Sequence, residues 1–193
     1  EYLLHEVIDE QEPAVRQFLL QTSVLDWLSA DLCNVVTGLE IAAGMLDGLF
    51  HRSMFLIPLD EAGTTFRYQH LFADALRSRL RIENPHSVSA LHHRAARWLL
   101  AHGHEEEAVG HLLDAGDPAG AFRAITRVGH HFVERGEAAT LVRWLSTIAA
   151  EDPDGPAQVE VSLLAAQLAA GEGTAATETY RRLSRRPNLT LGE

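Results

Sequence analysis

The sequence predicts a mainly α-helical chain that carries one small β-hairpin, and three observations support that prediction. Apolar residues recur at helical spacing through most of the chain, as in Leu71, Phe72, Ala75, Leu76 and Leu80. One stretch departs from this period: Phe55, Ile57 and Leu59 alternate with Leu56 and Pro58, then Asp60-Glu61-Ala62-Gly63-Thr64 supplies turn residues ahead of Phe66-Arg67-Tyr68. Helix-opening residues stand where the periodic runs begin, with Pro13, Ser29 and Asp117-Pro118 each placed to start a helix.

Taken in order, residues 2–9 read as the tail of a helix. Pro13 opens the next at a position where its missing N–H costs nothing, with Val15, Phe18 and Leu19 as its apolar face. Thr22-Ser23 interrupts it, and Ser29 caps a short helix through Val36. Thr37-Gly38 turns the chain into a third helix over residues 40–50. The hairpin follows, with Pro58 confining its strand to an edge. A helix over residues 72–83 should then bury Leu71, Phe72, Ala75, Leu76 and Leu80. Three helices, a hairpin wing and this helix make a winged-helix module over residues 1–84.

Asn84-Pro85 marks the expected boundary, because a residue before proline is pushed away from the helical region. Residues 85–193 read as helix throughout. Val88, Leu91, Ala95, Trp98 and Leu99 mark a helix to Ala101, ended by His102-Gly103-His104 and partnered by residues 105–115. Asp117-Pro118 opens a helix faced by Phe122, Ile125, Val128 and Phe132, and Gly136-Glu137 precedes another over residues 141–149. After the turn-rich 151–156, Leu164, Gly171, Ala175 and Tyr180 repeat the form of the first pair. Recurring pairs with small residues and turning glycines read as a tetratricopeptide-like (TPR-like) arm, the start of a superhelix.

Composition excludes several chemistries. All sixteen basic residues are arginine, so neither a phosphate-cradling Walker lysine nor a Schiff-base lysine exists here. The single cysteine, Cys33, forbids an internal disulfide, fits a reducing cytoplasmic setting and reads as a small buried hydrophobe. No apolar run reaches the length of a membrane span. The net charge of −11 opposes nucleic-acid binding. Locally the point repeats, since residues 40–50, where a groove-reading helix would lie, hold Glu40 and Asp47 and no arginine. A starting residue other than Met, in mid-helix, suggests a fragment.

Histidines crowd residues 92–131, yet their spacing does not make a metal site. His104-Glu105 begins like a zincin helix, but the second ligand position is Ala108, and the adjacent pairs 92/93 and 130/131 diverge around the helix. No metal is expected. No nucleophile elbow and no Cys/His/Asp set appears, so the chain is read as non-catalytic.

The stretch from Met54 to Leu80 resembles the segment after the nucleotide-binding domain in MalT-type, LuxR-family transcription regulators, which belong to the signal-transducing ATPases called STAND proteins. Supporting pieces are Glu6-Val7-Ile8, residues 18–25, Leu32-Cys33, residues 91–96 and residues 113–117, so the resemblance covers residues 1 to about 150. It implies an ATP-binding parent, with the winged helix facing ATP or ADP, although no cofactor is expected in this fragment. It also implies an upstream nucleotide-binding domain, a downstream DNA-binding domain, and a small-molecule or protein effector on the helical arm.

In those regulators the wing-to-helix junction carries a His within a pattern like Arg-Tyr-His-x-Leu-Phe. Here the run is Arg67-Tyr68-Gln69-His70-Leu71-Phe72, so Gln69 stands at the family's His position. His70 lies one place on, about 100° around a helix, and is not a ready substitute. Gln69 keeps a donor and an acceptor but loses the charge change near neutral pH, and a hydrogen bond at the helix start is its alternative role.

Arg67, Tyr68, Gln69 and His70 are thus the candidates for facing nucleotide or a neighbouring domain. Arg79 joins them because it falls inside the apolar arc and must be paired, within the module or across to another domain. Trp98, Phe122 and Trp144 are the candidates for an effector groove, core packing being the competing use of aromatics at this spacing. The reading is a non-catalytic sensor fragment that relays nucleotide state and effector binding; the alternative is a freestanding TPR-like interaction scaffold.

Overall fold

The structure, a computed structural model, describes residues 7–52, 55–152 and 155–186. Most of the helix read over residues 2–9, together with Met54 and Pro153-Asp154, lies outside the described residues; residues 7–9 are helical. The chain divides into two compact units, Glu1–His104 and Glu105–Glu193.

In the first unit, α1 (Pro13–Thr22) begins with its proline in the first turn. Next, α2 (Ala30–Thr37) begins at Ser29, whose hydroxyl accepts the Leu32 N–H at 3.3 Å. It ends at Gly38, left-handed at φ +75°, and α3 (Ala42–His51) follows. Strand β1 (Leu56–Pro58) pairs antiparallel with β2 (Phe66–Tyr68), Leu56 opposite Tyr68 and Pro58 opposite Phe66. At the tip, the Asp60 carboxylate accepts the Thr64 hydroxyl at 2.6 Å and its backbone N–H at 2.8 Å, which lowers its pKa to about 2. The unit closes with α4 (His70–Glu83) and α5 (Pro85–Ala101). Helix α1 packs on α2 and α4, α2 on α3 and α5, and α4 on α5. The mainly α fold with its hairpin is therefore as expected.

Two features of the wing have no counterpart in the sequence reading. Leu28, just ahead of α2, exchanges both backbone hydrogen bonds with Phe66 at 2.7 and 2.9 Å, so the hairpin gains a rung on its other edge that ties it to the helices. Phe55 enters β1 at φ +58°, a region that costs a bulky residue on the order of 1–2 kcal/mol. Its ring stacks on Phe72 at 4.6 Å between centroids and its carbonyl accepts the Gln69 N–H at 2.8 Å, which offset that cost.

Leu71 departs from expectation. The buried stripe of α4 is Phe72, Ala73, Ala75, Leu76 and Leu80, whereas Leu71 and Ile82 are each 74% exposed, on the stripe that also holds Ser78. Helix α5, which follows Asn84-Pro85, buries Leu91, Ala95 and Leu99 and packs on α2 and α4. Arg94 fastens that packing by donating to the Val36 carbonyl at 2.9 Å.

The second unit is helical throughout its described residues: α6 (Glu105–Asp114), α7 (Pro118–Glu134), α8 (Ala138–Glu151), α9 (Ala157–Ala169) and α10 (Gly173–Ser184). Each packs on its neighbour in sequence. Asp117 caps α7 by accepting the Gly120 N–H at 2.7 Å. After α7 and α9 the chain turns in the same way. Gly136 and Gly171 sit at φ +75° and +76°, and the next residue donates back to the carbonyl of Phe132 (2.7 Å) or Gln167 (2.8 Å). This 6→1 bond closes the last helical turn, and only a left-handed residue permits it without strain.

Candidate functional site

The wing-to-helix junction builds an open cleft of about 500 Å³ in the first unit, and the four neighbours Arg67, Tyr68, Gln69 and His70 all line it. Leu25, Asp26, Ile57, Ala73 and Arg77 complete the wall. Alternation along β2 turns Arg67 outward and Tyr68 inward, and α4 begins at once so that Gln69 and His70 crown its N-terminus.

Tyr68 is buried, its hydroxyl 2.7 Å from the equally buried Thr22 hydroxyl, and burial drives its pKa well above the usual phenol range. It is therefore a structural anchor. Gln69 is exposed, and its side chain makes no capping hydrogen bond; the helix-start bonds run through its backbone, N–H to Phe55 and carbonyl from Ala73 at 2.9 Å. Its amide is thus not spent on the helix. His70 is exposed, with Nδ1 3.1 Å from Asp74. Arg67 is exposed and has no carboxylate partner among the described residues.

Arg77, which the sequence reading did not single out, is the second guanidinium of the cleft. It donates to the Ser23 carbonyl at 2.8 Å and to Asp26 at 3.1 Å, which pins it to the segment between α1 and α2. The signal that it belongs here is long-range and absent from local spacing. Chemically the cleft offers one free guanidinium, an amide and an imidazole, a set that binds an anion or a hydrogen-bonding partner and that lacks a nucleophile with a base.

Arg79 lies elsewhere. It is half-buried and donates to Asp9 at 2.8 and 3.0 Å and to Glu83. Arg16 donates to Glu83 at 2.9 Å and Asp9 at 3.2 Å, so two guanidiniums and two carboxylates close one network joining the N-terminal segment, α1 and α4. Hydrogen bonding by Arg16, then Arg79, holds Glu83 below its ordinary carboxylate range, and Glu83 in turn raises Arg16. The arginine inside the apolar arc is paired within the module.

The three groove candidates fall in both units. Trp98 is half-buried in the first unit, stacked on His102 at 3.8 Å and edge-on to Trp27 at 5.9 Å. In the second unit Phe122 is half-buried, while Trp144 is 5% exposed and packs edge-on against Phe132 at 5.1 Å, as a core residue. Cys33 is fully buried, with burial pushing its thiol up to about 12. Among the described residues no three His, Cys, Asp or Glu side chains converge as metal ligands. Nor is any single helix there long and apolar enough to cross a membrane.

A trihelical module whose hairpin wing is tied back to the segment ahead of α2 is a winged helix. The family described as the MalT winged helix domain matches residues 4–88, and that part of the chain belongs to it. Two curated relatives extend the likeness. The serine/threonine-protein kinase PknK of Mycobacterium tuberculosis is 35% identical over 142 residues, 74% of this chain. The HTH-type transcriptional regulator MalT of Klebsiella pneumoniae is 36% identical over 117 residues, 61% of this chain. The chain spans about 13% of the length of either relative.

Proposed function

We propose that this chain is a non-catalytic relay from an ATP-dependent, LuxR-family transcription regulator of the STAND type, acting in the cytoplasm. Its winged helix reports the nucleotide state of a preceding ATP-binding domain. Its helical arm receives a small-molecule or protein effector, and the balance reaches a DNA-binding domain elsewhere in the parent. The observation that carries this reading is the cleft at the wing-to-helix junction of a MalT-type winged helix, where Arg67 and Gln69 stand free to meet an anionic ligand or domain.

Two considerations support a non-catalytic role. Kinase and P-loop chemistry both place a lysine on the nucleotide phosphates, and the chain contains none, so what it shares with PknK is a segment without phosphoryl-transfer machinery. The acidic charge sets it apart from a DNA reader. Relay requires at least two domain arrangements that bind nucleotide or effector differently.

The test is made in the parent protein. Arg67→Ala and Gln69→Ala should each speed loss of bound ADP during gel filtration while Leu71→Ala, at the 74% exposed position beside them, does not. Retention identical to wild type in both cleft variants would overturn the reading. The 193-residue chain alone should neither turn over ATP nor bind duplex DNA in a salt-sensitive way.

A further inference from the structure

Helix α3 and the wing face each other across a groove of about 370 Å³, lined by Ala43, Asp47, Phe50 and His51 on the helix and Gly63 and Thr64 at the wing tip. In a DNA-reading winged helix these two elements would carry cations. Here the floor is apolar: Phe50 is 38% exposed with its ring 5.4 Å from that of Phe66. At the other end of α3, Leu39 and Ile41 are 42% and 43% exposed. Gly44, one turn in, has open space where a side chain would stand, which leaves the helix backbone approachable.

The rim is acidic. Asp47 stands 73% exposed in the groove, Asp31 is exposed beside Ala30 in the groove wall, and Glu61 is exposed beside Ala62 at the wing tip. The His51 ring lies 3.9 Å from Asp47, and Arg52 follows it in the chain. Nucleic acid is repelled by such a rim, and a second copy of this chain, with a net charge of −11, would set acid against acid.

We propose that the α3–wing groove is a docking site for a cationic amphipathic helix of a protein partner, one apolar side chain seated over Phe50 and an Arg or Lys paired with Asp47. A helix laid in a groove reads out by its apolar anchor, and acidic rim groups add orientation and faster encounter. This inference is independent of the cleft at Arg67–His70, with which the groove shares no lining residue.

The test uses the 15N-labelled chain and two peptides, one of Leu, Ala and Arg at helical spacing and a counterpart with every Arg replaced by Glu. The Arg peptide should shift the amide resonances of Ala43, Asp47, Phe50 and Gly63, and added salt should weaken it. Asp47→Arg, an exposed change that spares the fold, should weaken binding roughly fivefold or more. Phe50→Ala should weaken it as well. Equal binding of the Glu peptide, shifts scattered away from these residues, indifference to Asp47→Arg, or a duplex DNA that competes for the same resonances would each overturn the proposal.

Discussion

Thr22 and Tyr68 meet hydroxyl to hydroxyl at 2.7 Å with both side chains buried, and this contact fastens the wing to α1. The direction of the bond follows from Thr22's other partner. Its single hydroxyl proton is donated to the Phe18 carbonyl at 2.7 Å, so Tyr68 is the donor and Thr22 the acceptor. Tyr68→Phe then removes a donor and leaves an acceptor lone pair, at a cost of about 1 kcal/mol. Thr22→Val instead strands a buried phenol proton and should cost more, roughly 1–3 kcal/mol. Urea denaturation of the two variants checks the order, and a larger loss for Tyr68→Phe would reverse the assigned direction.

The Asp9, Arg16, Arg79 and Glu83 network makes stability depend on acid. Glu83 has a folded-state pKa below its unfolded value, chiefly through Arg16, so its contribution is complete above the ordinary glutamate range and disappears as pH falls through the lowered folded value. Glu83→Gln should therefore destabilise the chain at neutral pH by about 1 kcal/mol and match wild type once the carboxylate is protonated. Denaturation midpoints for both proteins across the acid range provide the measurement. A constant gap at all pH values would remove Glu83 from the acid response.

Trp144 separates core packing from ligand binding. As a 5% exposed residue against Phe132, it should cost on the order of 3–5 kcal/mol when truncated to alanine, read as unfolding of the second unit. Trp144→Phe keeps much of the packing and should stay folded with a loss nearer 1–2 kcal/mol. A stably folded alanine variant would return Trp144 to the list of groove residues.

What the sequence made legible is what local chemistry determines. Pro13, Ser29 and Asp117-Pro118 open helices where expected, because capping depends on a few adjacent residues. The hairpin was readable from alternation and the Asp60–Thr64 turn. The Leu28–Phe66 rung was not, since Leu28 stands outside any periodic run and its partner is distant in sequence. For the same reason Arg67 to His70 could be picked as a group from neighbouring positions, while Arg77 and Asp26, which complete their cleft, could not. Leu71 was misplaced because helical spacing allows two adjacent stripes, and only packing on α1 and α5 decides that Phe72 and Ala73 face in. Proline at 85 starts a helix, as its place in the first turn allows, while the packing of that helix on α2 and α4 is long-range and not legible from the dipeptide.

The cap of α7 offers a coupled test in the second unit. Asp117 accepts the Gly120 N–H at 2.7 Å, and a methyl group at position 120 would stand 2.2 Å from the nearer Asp117 carboxylate oxygen, far inside van der Waals contact. Asp117→Ala should cost about 1 kcal/mol through the lost cap. Gly120→Ala brings two opposing effects: a helical gain of up to about 1 kcal/mol and displacement of the Asp117 carboxylate from its bond. In the wild-type background these nearly cancel. With Asp117 already replaced, only the helical gain remains, so the same Gly120→Ala change should stabilise. The double-mutant cycle should therefore show a coupling of about 1 kcal/mol within the first turn of the helix. Strict additivity would mean that the carboxylate moves aside without losing its bond, and that the glycine at 120 is not required by the cap.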